Sequence, residues 1–196
     1  ELPKAKGRLR PAYPAELKKT AEIGYVFIIR SLDENGQSNS LQALGTHLPF
    51  QRAVEEEFSE WKMSPAKRGG KPVEARVRVP VIFNPKAAAP DGPEATPRLV
   101  TVTPVFTPEP LTRGQGAPTV RCAVSLDEKG VVTAVQPERK LSEKNLTAIR
   151  AAVASWRFAP ARKGGQAVAA EMVVTVLGET KEKPAHLTDW RGRPWT

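Results

Sequence analysis

The chain has 196 residues, of which 40% are hydrophobic, 26% charged and 6% aromatic, with 19 prolines and a net charge of +9. That balance is typical of a soluble globular protein holding one ordinary domain or two small ones, each half alone lying near the lower limit for an independent core. A single cysteine, Cys122, excludes an intrachain disulfide, a paired-cysteine zinc site and a CxxC redox motif. No run approaches the roughly 20 apolar residues of a spanning helix. The positive charge permits an acidic protein, anionic lipid or nucleic acid as partner and selects none of them. The first residue is Glu1 rather than Met, which leaves room for an upstream signal or membrane anchor.

In chain order, Glu1 to Ala12 is a basic leader carrying Lys4, Lys6, Arg8 and Arg10. Tyr13-Pro14 opens a short helical segment at Ala15 to Lys19, where proline suits the first helical position. Gly24 to Leu32 is rich in β-branched and aromatic residues and stops at Asp33-Glu34-Asn35-Gly36, which predicts a strand, a hairpin turn and a weaker return strand from Gln37 to Leu44. From Pro49 to Lys62, Phe50, Val54, Phe58 and Trp61 recur at helical spacing, and Pro65 is read as the end of that helix. Val73 to Phe83 then alternates, with Val77, Val79, Val81 and Phe83 on one face and Glu74, Arg76, Arg78 and Pro80 on the other. Pro80 cannot donate a ladder hydrogen bond, so this strand is placed at a sheet edge.

The series then repeats. Trp61-Lys62-Met63-Ser64-Pro65-Ala66-Lys67-Arg68-Gly69-Gly70 returns 95 residues later as Trp156-Arg157-Phe158-Ala159-Pro160-Ala161-Arg162-Lys163-Gly164-Gly165, which indicates a duplication. Thr119 to Leu126, the turn Asp127 to Gly130, Val131 to Val135, the helix Ser142 to Arg157 and the strand from Val168 to Val176 match the first half element by element. The fold class expected is α+β: two tandem β-β-α-β domains, each a small antiparallel sheet packed on one amphipathic helix. The boundaries are 1–85 with its basic leader, a Pro/Ala-rich linker at 86–97, the second domain at 98–178 and a tail at 179–196 holding Trp190 and Trp195. Tyr25, Phe27 and Ile29 make the first strand apolar on its second face also. The other half, the leader or the N-terminal helix is expected to cover that face.

The order of Tyr-Pro, strand, Asp-x-x-Gly turn, helix, Trp-x-x-x-Pro-Ala, Gly-Gly and alternating valine strand resembles the TonB C-terminal domain family. The residues that carry it are Tyr13, Pro14, Gly24, Asp33, Gly36, Trp61, Pro65, Ala66, Gly70 and Val73. In the second half they are Asp127, Gly130, Trp156, Arg157, Phe158, Pro160, Ala161, Gly165 and Val168. The second copy departs by lacking a clear Tyr-Pro, and the first by having Lys62-Met63 where the family has Arg-Phe. The resemblance implies a periplasmic or cell-envelope protein of a Gram-negative-type bacterium that binds an outer-membrane partner by pairing with its extended segment at a sheet edge.

The chemical inventory argues against an enzyme, and no cofactor, metal, small-molecule substrate or nucleic acid is expected. His47 and His186 are the two histidines and lie far apart in sequence; no nucleophile elbow or phosphate-binding loop occurs. Cys122 shares a strand face with Val120 and Val124 and reads as a buried structural thiol. Trp61 and Trp156 read as core rings. The candidate partner-binding residues are those of the two last strands: Glu74, Arg76, Val77, Arg78 and Val79, with Met172, Val174 and Thr175. An edge strand offers backbone groups to an incoming peptide. The charges at 74, 76 and 78 serve equally to protect the edge from unwanted pairing, and a scaffold whose halves plug each other's edges is the alternative.

Overall fold

The computed structural model describes residues 1–6, 11–57, 62–85, 92–112 and 118–180. In chain order the strands of the first half are β1 (Ala5–Lys6), β2 (Gly24–Leu32) and β3 (Ser38–Gly45), followed by helix α1 (Leu48–Glu57), β4 (Lys62–Met63), β5 (Ala66–Arg68), β6 (Lys71–Val73) and β7 (Ala75–Phe83). Those of the second half are β8 (Arg98–Thr101), β9 (Val105–Thr107), β10 (Thr119–Leu126) and β11 (Val132–Pro137), then α2 (Glu143–Ala154), β12 (Arg157–Ala159), β13 (Ala161–Lys163), β14 (Gln166–Val168) and β15 (Ala170–Thr180). The architecture is mixed α+β, mostly sheet with two α-helices among the described residues and a single 3₁₀ turn at Ala15–Leu17.

The first sheet has the order β3-β2-β7 and the second β11-β10-β15-β9, antiparallel except that β9 runs parallel to β15. Both hairpins carry a register shift at the same place, Ser31/Leu32 and Ser125/Leu126. Both turns are closed by an aspartate: Asp33 Oδ1 accepts from the Asn35 and Gln37 amides, and Asp127 Oδ1 from those of Lys129 and Val131. An aspartate carboxylate that replaces backbone carbonyls as the acceptor explains why the turn can be so short.

Several expectations change. The residues after the tryptophans, from Lys62 and from Arg157 to the glycine pairs, are β-structure, Pro65 and Pro160 separating β4 from β5 and β12 from β13, with the glycine pairs turning the hairpins β5–β6 and β13–β14. Lys62 and Arg157, placed in helices by their spacing, are strand residues, and Glu74 interrupts the strand expected from Val73 onward. The reason lies far away in sequence. A leader strand pairs with each post-helix strand, β1 with β4 and β8 with β12, and a local hydrophobic period cannot register a partner about 60 residues off. Gly92 to Pro97 is consequently not free linker. Ala95 exchanges two backbone bonds with Arg162, and Glu94 Oε1 accepts from Gly164 N at 2.8 Å. The last strand also runs on through Glu179 and Thr180, which had been assigned to the tail. Phe58, Trp61, residues 86–91 and 181–196, with His186, Trp190 and Trp195, and Arg8 and Arg10 of the leader lie outside the described residues.

β2 is buried on both faces, because its two side-chain sets enter different cores. Val26 and Ile28 join Phe50 and Val54 of α1 and Phe83. Tyr25 and Phe27 join the second half's core of Leu99, Val105, Val124, Ile149, Trp156 and Val176. Of the covers considered for that apolar face, the other half supplies it. Tyr25 meets the Trp156 ring edge-on at 5.4 Å and 85°, and each ring buried this way stabilises by roughly 1.5–3 kcal/mol.

Candidate functional site

Hydrogen-bond direction alternates along a strand, so one anchored residue fixes which backbone groups are offered outward. On β2, Tyr25 bonds to Thr46 on the β3 side, its carbonyl accepting from Thr46 N at 3.0 Å and its amide donating to Thr46 Oγ1 at 3.2 Å. Val26, Ile28 and Arg30 therefore face β7. With the register Val26↔Val81, Ile28↔Val79 and Arg30↔Val77, the outward residues of β7 are Arg76, Arg78, Pro80 and Ile82. Among the described strands none pairs on that side, although the far end of β7 is tied down where Asn84 bonds both the amide and the carbonyl of Leu99 at 3.0 and 2.9 Å.

The same argument on β15 gives a different edge. Gly178 N donates to Pro118 O at 2.8 Å, so residues 172, 174, 176 and 178 face β10 and Glu171, Val173, Thr175 and Leu177 face away. Leu177 N donates to the Tyr25 hydroxyl of the first half at 2.9 Å, and β9 pairs alongside Gly178 to Thr180.

The sequence-predicted residues divide accordingly. Arg76, Arg78 and Thr175 carry outward backbone groups. Val77, Val79, Met172 and Val174 spend theirs on the neighbouring strand, and Glu74 lies in the break between β6 and β7. Ile82, Glu171, Val173 and Leu177 were missed as edge positions. Counting in twos from Arg76 reaches Ile82 and from Thr175 reaches the other three, but which parity faces outward depends on the Tyr25–Thr46 pair, and no sequence motif marks it.

Arg78 is also not a free selector of partners. Its guanidinium donates both to Glu179 Oε1 at 2.7 Å and Glu179 Oε2 at 2.9 Å, and lies 5.2 Å from the Phe27 and 5.8 Å from the Phe106 ring centroids. A forked cation between two rings and a carboxylate is fixed in place. Arg76 and Glu74 remain exposed.

Elsewhere the titratable groups have structural settings. Burial pushes the Cys122 thiol up to about 11, which suppresses its thiolate. Burial also raises the Tyr25 phenol, keeping it a neutral acceptor for Leu177 N. His47 is lowered by burial, against the raising effect of Glu22, with Arg121 lowering it further. No group of three or more His, Cys, Asp or Glu able to hold a metal occurs among the described residues, and no described helix is long and apolar enough to cross a membrane. An open groove of about 630 Å³ between the 3₁₀ turn and α1 is lined by Tyr13, Pro14, Glu16, Arg52 and Glu56. Its charges are mixed and surface-exposed.

Among the described residues the first sheet is helix-backed and antiparallel and ends on the unpaired edge of β7, a geometry shared with modules that bind by strand addition. Residues 10–85 match the family model of the Gram-negative bacterial TonB protein C-terminal, which supports the TonB C-terminal family for the first half of the chain. Domains of that family are non-enzymatic protein-interaction modules of the periplasm. No curated protein matches the sequence.

Proposed function

We propose that the chain is a non-enzymatic periplasmic binding module made of two TonB-C-like units, and that it captures an extended segment of an envelope or outer-membrane protein by strand addition. The observation that carries this reading is the edge of β7, where the backbone groups of Arg76, Arg78 and Ile82 and the Pro80 carbonyl point away from β2. An added strand gains main-chain bonds there, and its alternating side chains meet the α1 layer on one side and the second half on the other. Kinship of the second half rests on the repeated turn, helix and glycine hairpin. A scaffold role is supported to the extent that one half closes part of the other's edge.

The test is site-specific photocrosslinking in a producing Gram-negative bacterium, with the crosslinker at Arg76 or, as control, at the exposed Gln136 on β11. A discrete crosslinked envelope protein from position 76 and not from 136 is expected. Equal labelling at both positions, or none at 76, would sink the strand-addition mechanism.

A further inference from the structure

We infer that the tandem accepts one segment per chain, because the last strand of the second half is locked by other elements while that of the first is open among the described residues; this rests on the strand-addition reading above. The two last strands are equivalent in sequence position, Arg76, Arg78, Pro80 and Ile82 of β7 corresponding to Glu171, Val173, Thr175 and Leu177 of β15. On β15 the outward groups at the C-terminal end are taken. The Leu177 amide is bonded to the Tyr25 hydroxyl, and Gly178 to Thr180 carry β9 as a parallel neighbour. Thr175 is buried. Only Glu171 and Val173, at the start of the strand, remain exposed.

The lock is held from three sides. Asn145 of α2 bonds the Glu109 amide through Oδ1 and the Glu109 carbonyl through Nδ2, both at 3.1 Å, which fixes the chain just after β9. Gly178 leaves room for Leu111, whose side chain occupies the place a Cβ would take. Glu179 grips Arg78, so the strand that would accept a segment in the first half is the strand that holds the lock of the second. In the first half the stretch corresponding to β9 is Ala12 to Pro14, which is not in a strand.

The experiment is residue-resolved amide hydrogen exchange on the whole chain without any partner. In the wild type the Leu177 amide is expected to exchange about 100-fold more slowly than those of Arg76 and Arg78, since an amide with a fixed acceptor opens only with its surroundings. Tyr25→Phe should speed Leu177 about tenfold while Val176 and Gly178, which face β10, stay within about twofold. Leu177 exchanging as fast as Arg76 in the wild type, or Val176 speeding up as much as Leu177 in the variant, would overturn the lock. Should Tyr25→Phe fold poorly, Glu179→Arg sets two cations against each other and should open Leu177; adding Arg78→Glu should close it again. No recovery in that double variant overturns the part assigned to the pair. Protection of Arg76 and Arg78 equal to that of Leu177 would remove β7 as the accepting edge and leave the lock standing, so the two failures are told apart.

Discussion

Two side chains in the core have consequences that can be measured one at a time. Thr107 is 1% exposed and its Oγ1 has no hydrogen-bond partner among the described residues. Burying a hydroxyl unpaired costs about 1–3 kcal/mol, so Thr107→Val, which keeps the shape, should raise stability by about 1 kcal/mol and the melting temperature by roughly 2–4 °C; a lowered melting point refutes the prediction. His47 sits between Thr46 and the Phe50 ring, its Nδ1 3.1 Å from Thr46 Oγ1 and its ring edge-on to Phe50 at 5.4 Å. Glu22 and Arg121 are the charged groups that act on it. Because burial holds its folded-state pKa below the ordinary 6.5, the unfolded chain takes the proton first as pH falls. The His47 contribution is therefore whole above about pH 6.5 and drains away as pH falls from there through the folded value. His47→Gln should flatten denaturation midpoints across that window; an unchanged pH slope would mean His47 is not the group responsible.

At the scale of elements, the turn and the post-helix strand of each half are fitted to one another. Gly36 and Gly130 have φ of +78° and +76°, and a Cβ on either would run into the carbonyl oxygen of Met63 or Phe158. Alanine at either position combines a left-handed backbone penalty with displacement of a strand, and should cost more than about 2 kcal/mol; thermal unfolding of the two single variants checks this, and a loss under 1 kcal/mol at both would show the fit to be loose. For β7, Arg76→Pro removes an outward amide and no bond to β2. It should lower the melting temperature by only a few degrees while abolishing the crosslinking described for position 76 when the crosslinker is moved to Pro80. Retained crosslinking would locate binding elsewhere. The strands β2 and β10 were legible to the residue because β-branched and aromatic runs stop at Asp-x-x-Gly turns, and α2 was legible from its apolar spacing; the cap that starts it, the Ser142 hydroxyl accepting from Asn145 N, was not read from the sequence. The short strands β4, β5, β12 and β13 were not, because their stability comes from partners distant in sequence. The candidate site was half legible: alternation marked β7 as a strand and Pro80 marked it as an edge, but the direction of its hydrogen bonds is a property of the assembled sheet.

At the scale of the molecule, the two halves are joined through shared core and polar contacts among the described residues. The first half's Tyr25 and Phe27 belong to the core of the second, Asn84 clasps Leu99, and Arg78 is forked onto Glu179. Calorimetry should show a single transition, and Trp156→Ala, which removes a ring 2% exposed and its bond from Nε1 to Thr103 O, should lower it by about 3–5 kcal/mol for both halves together. Two separate transitions in the wild type would mean that the shared core is weaker than either half. The Arg78–Glu179 pair is partly exposed, its side chains retaining 26% and 17% of their surface, so about 1–2 kcal/mol is the most it should contribute to that coupling.

The bond between Tyr25 and Leu177 joins residues 152 positions apart, and this bears on the order of folding. Contacts of such long range are the slowest to form, because the chain between them must close first. An intermediate that holds the first sheet before β15 has docked on β10 leaves Tyr25 and Phe27 without part of the core that covers them, and transiently exposed apolar surface of that kind makes such species prone to aggregate.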